Sequence, residues 1–179
     1  MASDYIAPSI TQLNSGTCAS RNCWCAVGAY LVDSGTRGRK RPTPAQFRKK
    51  AGVGTCRTGG LGDIIRGCKA YGVKATMLAK RNRKELRWRF SRNKAEKVYA
   101  LAFDFDAWPI SKQCVRYSGY HAVAVVPGLN KRYSVRTMDP LCRKLRWVKR
   151  GDIIDAAQEY AREHGHKNVD LIAVNVPRK

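Results

Sequence analysis

The sequence predicts an α+β domain in which N-terminal helices pack on a C-terminal antiparallel sheet. Three observations predict it: an apolar, breaker-poor run of helical length at 22–33, two further helical segments behind it, and a second half rich in short β-prone runs bounded by Pro, Gly and Asn. Segregation of this kind separates α+β folds from doubly wound parallel sheets, where helices and strands alternate. With 179 residues and 44% hydrophobic content, the chain fits one domain, 1–179, with a real core, and would be cramped as two.

In order along the chain, residues 1–20 read as an irregular, Pro-containing segment. Asn22 to Asp33 (NCWCAVGAYLVD) reads as a buried helix with Asn22 as N-cap, stopped by Ser34-Gly35. Thr36 to Pro44 (TRGRKRPTP) is a charged, Pro-broken surface loop, and Thr43-Pro44 supplies the N-cap and first residue of a second helix. A third helix runs from Leu61 to about Tyr71, closed by Gly72. Val73 to Leu78 alternates as a short strand, and the basic segment from Arg81 to Glu96 reads as helical. Val98 to Phe105, Tyr120 to Val126 and Tyr133 to Met138 read as adjacent antiparallel strands. An amphipathic helix at 151–165 and a last strand from Val169 to Val176 complete the pattern.

The balance of 35 Lys and Arg against 13 Asp and Glu leaves a formal charge of +22, which no fold requires. Such a surface attracts polyanions: nucleic acid, an anionic wall polymer or an acidic protein. Solubility is the plainer use of charge, although ordinary domains manage with less. Two tracts carry candidate contacts: Arg39, Lys40 and Arg41 in the loop, and Arg87 and Arg89 interleaved with Trp88 and Phe90. No apolar run reaches the roughly 18 residues of a membrane span, and the start MASDYIAPSI lacks the basic and apolar regions of a signal peptide. The expectation is a soluble protein without membrane contact.

Seven cysteines stand at 18, 23, 25, 56, 68, 114 and 142, an odd count with no CxxC pair. That argues against a closed disulfide framework and a zinc ribbon, and for mostly free thiols in a reducing cytoplasm, one of them reactive. Cys23 is the first candidate, because the opening turn of a helix presents unsatisfied N–H groups and a positive dipole end that favour thiolate. His121 opens a strand, at a sheet end rather than mid-face, and Asp139 ends the next strand, where a carboxylate can fix the tautomer of that imidazole. Other patterns read as structural. GGLGD (59–63) lacks the Lys-Ser/Thr of a phosphate loop and reads as a helix-capping turn. His164 and His166 read as an exposed helix end, and Asp104 and Asp106 as solvated strand-face carboxylates. No metal and no organic cofactor is expected.

Taken together, NCWCAVGAYLVDSG, TPAQFR with GGLGDIIRGCKAYGV, GYHAVAVV and DPLCRKLRWV resemble papain-like cysteine peptidases. The nearer likeness is to the bacteriocin-leader-peptidase-like branch and its small bacteriophage-encoded members. The resemblance implies Cys23 as nucleophile, His121 as base, Asp139 as orienting carboxylate and Gln12 as oxyanion donor, with Trp24, Gly60 and Tyr120 lining the substrate cleft. Gln12 lies eleven residues before Cys23 but six before Cys18, which leaves Cys18 open as an alternative nucleophile. Helix placement and the following Trp24 select Cys23. The implied function is a phage-encoded cysteine peptidase or amidase acting on a peptide or peptidoglycan-type bond, in host cytoplasm or virion. The alternative is a non-enzymatic virion component on the same scaffold, bound to DNA or to an acidic neighbouring subunit.

Overall fold

The computed structural model describes residues 6–12, 21–91, 96–104, 120–127, 133–142 and 144–177. Among the described residues, five helices and six strands follow the order α1 (Cys23–Thr36), α2 (Pro44–Lys50), α3 (Leu61–Ala70), β1 (Ala75–Arg81), α4 (Arg83–Phe90), β2 (Lys97–Asp104), β3 (Tyr120–Val126), β4 (Ser134–Met138), β5 (Arg146–Lys149), α5 (Arg150–Glu163) and β6 (Val169–Asn175). The strands form one antiparallel sheet in the order β1-β6-β2-β3-β4-β5.

Helix α1 is the centre of the fold. Thirteen of its fourteen residues are buried, as the all-round apolar run demands. It lies between α2 and α3 on one side and the sheet on the other, over Ala100, Ala122 and Ala124. It runs past Ser34-Gly35 to Thr36 and ends in a left-handed Arg37 (φ 51°). Phe47 of α2 fills the space between α1 and α3, where Gly28 and Gly67 each leave room for its ring. The expected Thr43-Pro44 start is a full capping box: Thr43 Oγ1 accepts from the Gln46 N–H and Gln46 Oε1 accepts from the Thr43 N–H.

The opposite face of the sheet carries a second core. There Ile153, Ile154, Ala157 and Ala161 of α5 and Leu86 and Phe90 of α4 cover Leu101, Phe103, Val123 and Val125. Helices therefore cover both faces, and α5 enters the chain between β5 and β6 rather than ahead of the sheet. Among the described residues of the basic segment, Arg83–Phe90 is helical, capped by Asn82 and Glu85, and residues 92–95 lie outside the described residues. Strand β5, RWVK, is a four-residue edge without alternating apolar character, which is why its sequence carries no strand signal. Among the described residues no helix is long and apolar enough to cross a membrane.

The cysteines correct one expectation. Cys56 and Cys142 are disulfide-bonded, whereas Cys23, Cys25 and Cys68 are free and buried. Spacing carries no record of pairing between segments that only the fold brings together. Cys18 and Cys114 lie outside the described residues.

Candidate active site

Three elements meet at the start of α1. Cys23 is its first residue and 2% exposed. His121 sits at the entry of β3 beside Phe103, its cross-strand partner on β2, and the Phe103 ring meets the imidazole edge-on at 5.9 Å. Asp139 directly follows β4, the other neighbour of β3, and its Oδ1 lies 2.8 Å from His121 Nε2. Both side chains are fully buried. The same carboxylate oxygen accepts the Leu141 N–H at 2.9 Å, and the Asp139 carbonyl accepts the Cys142 N–H at 2.9 Å, so a tight turn fixes its aim. With Nε2 turned to Asp139, the other edge of the ring remains for the Cys23 thiol.

Burial alone lowers the basicity of His121 by disfavouring imidazolium. Hydrogen bonds to Asp139 and Cys23, and the negative charge of both, outweigh that and push its pKa up to about 9. An imidazole held this way can keep its proton opposite a thiolate and release it to a leaving group. The other free thiols differ: burial pushes Cys25 up to about 12 against the pull of Arg48, and burial pushes Cys68 up to about 12.

The structure brings Cys23, His121 and Asp139 together and ties Gln12 to the same corner. The Gln12 N–H donates to the Pro140 carbonyl at 2.9 Å, Thr11 Oγ1 donates to the same oxygen at 3.0 Å, and the Gln12 side chain is buried. Tyr120 and Gly60 line a cleft of about 270 Å³ together with Leu61, Ala102 and Tyr160. Burial pushes the Tyr120 phenol up, as do the neighbouring Cys23, Tyr160 and Asp63, so this cleft-lining residue is also a neighbour of Cys23.

Two expectations change. Trp24 is fully buried, with Phe47 edge-on at 6.2 Å and Gly59 against its indole, so it packs the helix start instead of lining the cleft. Asn22 occupies the N-cap position without capping: its Oδ1 accepts from Arg48, a residue the sequence hides within a run of surface bases. His164 and His166 form the exposed helix end that the sequence predicts, where the His164 ring lies tilted against Tyr160 at 4.1 Å and both histidines border the cleft. The basic residues stand apart from Cys23. Arg39, Lys40 and Arg41 follow the far end of α1, about 20 Å away at 1.5 Å per residue. There Lys40 donates to the Tyr71 carbonyl and Arg41 pairs with Asp33. Arg87 and Arg89 belong to α4, on the other face of the sheet. Asp104 closes β2, and Asp106 lies outside the described residues.

No protein-family model and no curated protein matches this sequence. Solved structures do. A C39-like peptidase of Bacillus anthracis superposes with a TM-score of 0.60 at 14% identity, over 99% of this chain and 98% of that one. The peptidase domain of Streptococcus ComA, a bifunctional ABC transporter of a quorum-sensing pathway, gives 0.54 at 14% identity, over 95% and 98%. A double glycine motif protease from an AMS/PCAT transporter, in complex with the leader peptide, gives 0.57 at 13% identity, over 96% and 94%. At such identities the likeness is one of fold, and the chain has the papain-like α+β fold of these C39-type peptidase structures.

Proposed function

We propose that this protein is a cysteine peptidase with Cys23 as nucleophile, His121 as acid and base, and Asp139 as the group that orients the imidazole. The observation that carries this reading is the fully buried His121–Asp139 pair set against a thiol at the first turn of a helix. The Cys23 thiolate attacks the scissile carbonyl, and the oxyanion is held by the Cys23 N–H and the Gln12 amide. Imidazolium then protonates the departing amine, leaving an acyl-enzyme; His121 next deprotonates a water, which releases the acid and regenerates the thiol. A cleft of about 270 Å³ beside Tyr120 is smaller than the ~300–1,000 Å³ of ligand pockets and suits a peptide side chain.

The first substrate to test is a leader peptide with a double-glycine motif, as the name of one structural neighbour suggests. Cleavage by the wild-type protein, with a fall of about 10⁴-fold in Cys23→Ala and His121→Ala, is the expected outcome. A rate unchanged in Cys23→Ala would overturn the assignment.

A second reading rests on α4, where Trp88 is 55% exposed and the Arg89 guanidinium lies 5.7 Å from its ring centre. This surface fits a polyanion, as a virion component bound to DNA would need. It predicts DNA affinity that falls steeply with salt and is indifferent to Cys23→Ala.

A further inference from the structure

Arg48 is 7% exposed in α2, beneath the start of α1. Its Nε and Nη2 donate to Asn22 Oδ1 at 3.0 and 2.5 Å, Nη2 also to the Arg21 carbonyl at 3.3 Å, and Nη1 to the Gly54 and Arg57 carbonyls at 2.7 and 2.9 Å. The guanidinium carbon sits 5.2 Å from the centre of the Trp24 ring. Every one of these partners is neutral, and among the described residues no carboxylate lies within ion-pair distance of it. Its hydrogen bonds are satisfied, yet its charge is not offset. A buried charge in that condition is costly unless a negative group forms nearby.

Arg48 grips Arg21, Asn22 and Trp24, the residues on either side of Cys23. We propose that Arg48 is a positioning residue for Cys23: it fixes the first turn of α1, and its uncompensated charge favours the thiolate there. The side chain of Asn22 is diverted from capping to bind this cation, which leaves the positive end of α1 open toward the sulfur. Two residues after Cys23, Arg48 draws the Cys25 thiol down against the larger upward push of burial. The other ionisable groups facing the turn are Cys25 of α1, Asp63 of α3, Tyr120 and His121 of β3, and Asp139 behind His121. Asp63 is itself engaged by Arg66.

The inference rests on the peptidase reading, but its test uses no substrate. The rate of Cys23 alkylation by iodoacetamide is followed against pH, with the site read by mass spectrometry, in wild type, Arg48→Lys and Arg48→Gln. Lysine keeps the charge and loses the fork; glutamine loses the charge. The expected result is a Lys midpoint close to wild type and a Gln midpoint about one pH unit higher, a tenfold loss of thiolate below it. Equal midpoints in the two variants would overturn the proposal. Should Arg48→Gln fail to fold, Asn22→Asp keeps the shape and sets a carboxylate against the guanidinium. It should raise the midpoint by a similar amount, and an unmoved midpoint would also overturn the proposal. If the midpoints shift while the wild type cleaves no peptide, the positioning role stands and the peptidase reading fails.

Discussion

Two carboxylate-level facts govern His121: it is sealed from water, and Asp139 answers its proton at 2.8 Å. Because its folded pKa is raised from the ordinary 6.5 to about 9, the protonated form stabilises the fold. That stabilisation is complete below about 6.5 and is lost as pH rises through about 9. Melting temperature should therefore fall across this window, and His121→Gln should flatten the fall; a slope unchanged in the variant would contradict the assignment. Cleavage should show an alkaline limb near the same pH, where imidazolium is no longer available for the leaving amine. Among the free thiols, Cys25 and Cys68 stay protonated at neutral pH, both pushed up to about 12. Iodoacetamide near neutrality should thus modify Cys23 well ahead of both, and uniformly slow labelling would remove Cys23 from the mechanism.

At the scale of elements, the seat of α1 depends on the absence of side chains. A methyl group at Gly28 would lie 2.2 Å from the Phe47 ring, which is also pressed against Gly67. Gly→Ala within a helix ordinarily gains roughly 0.5–1 kcal/mol, whereas overpacking a core costs about 1–3 kcal/mol. The second effect should win, so Gly28→Ala is expected to lower stability in a urea titration, with a loosened helix start and slower cleavage. Much of this layer was legible in the chain. The apolar run placed Cys23 within the first turn, Thr43-Pro44 marked the start of α2, and the β-rich run 120–126 matched β3. What stayed hidden depended on contacts between distant segments. Arg48 lies 26 residues from Asn22 and looks like any surface base. Trp24 follows Cys23 in a position that suits a cleft, until Gly59 and Phe47 close over it. Asp139 could be paired with His121 because both end neighbouring strands, a relation that the strand pattern itself carries.

Over the whole molecule, both faces of the sheet contribute to the site. Cys23 comes from the face that holds α1 to α3, α5 on the other face adds Tyr160 to the cleft, and α4 carries the exposed Trp88 and its arginines. A charge of +22 spread on such a body does not bear on the fold, only on what approaches it. The disulfides have a wider bearing. Such bonds persist in oxidising surroundings, so a reducing cytoplasm is not the setting that Cys56 and Cys142 fit.

Cys142 stands three residues after Asp139 in the turn that aims it, and Ser9 Oγ donates to the Cys142 carbonyl at 3.3 Å, holding the segment that carries Gln12. Cys56 occupies the loop where its own carbonyl binds Arg21, beside the grip of Arg48. Sulfur thus has opposite requirements within one site: Cys23 works only when reduced, while its surroundings are braced by oxidised neighbours. Added dithiothreitol should first raise peptidase activity, as any oxidised Cys23 is recovered, and then depress it as the braces open. The declining phase should coincide with new alkylation at Cys56 and Cys142, and activity that only climbs with reductant would show that the braces are dispensable.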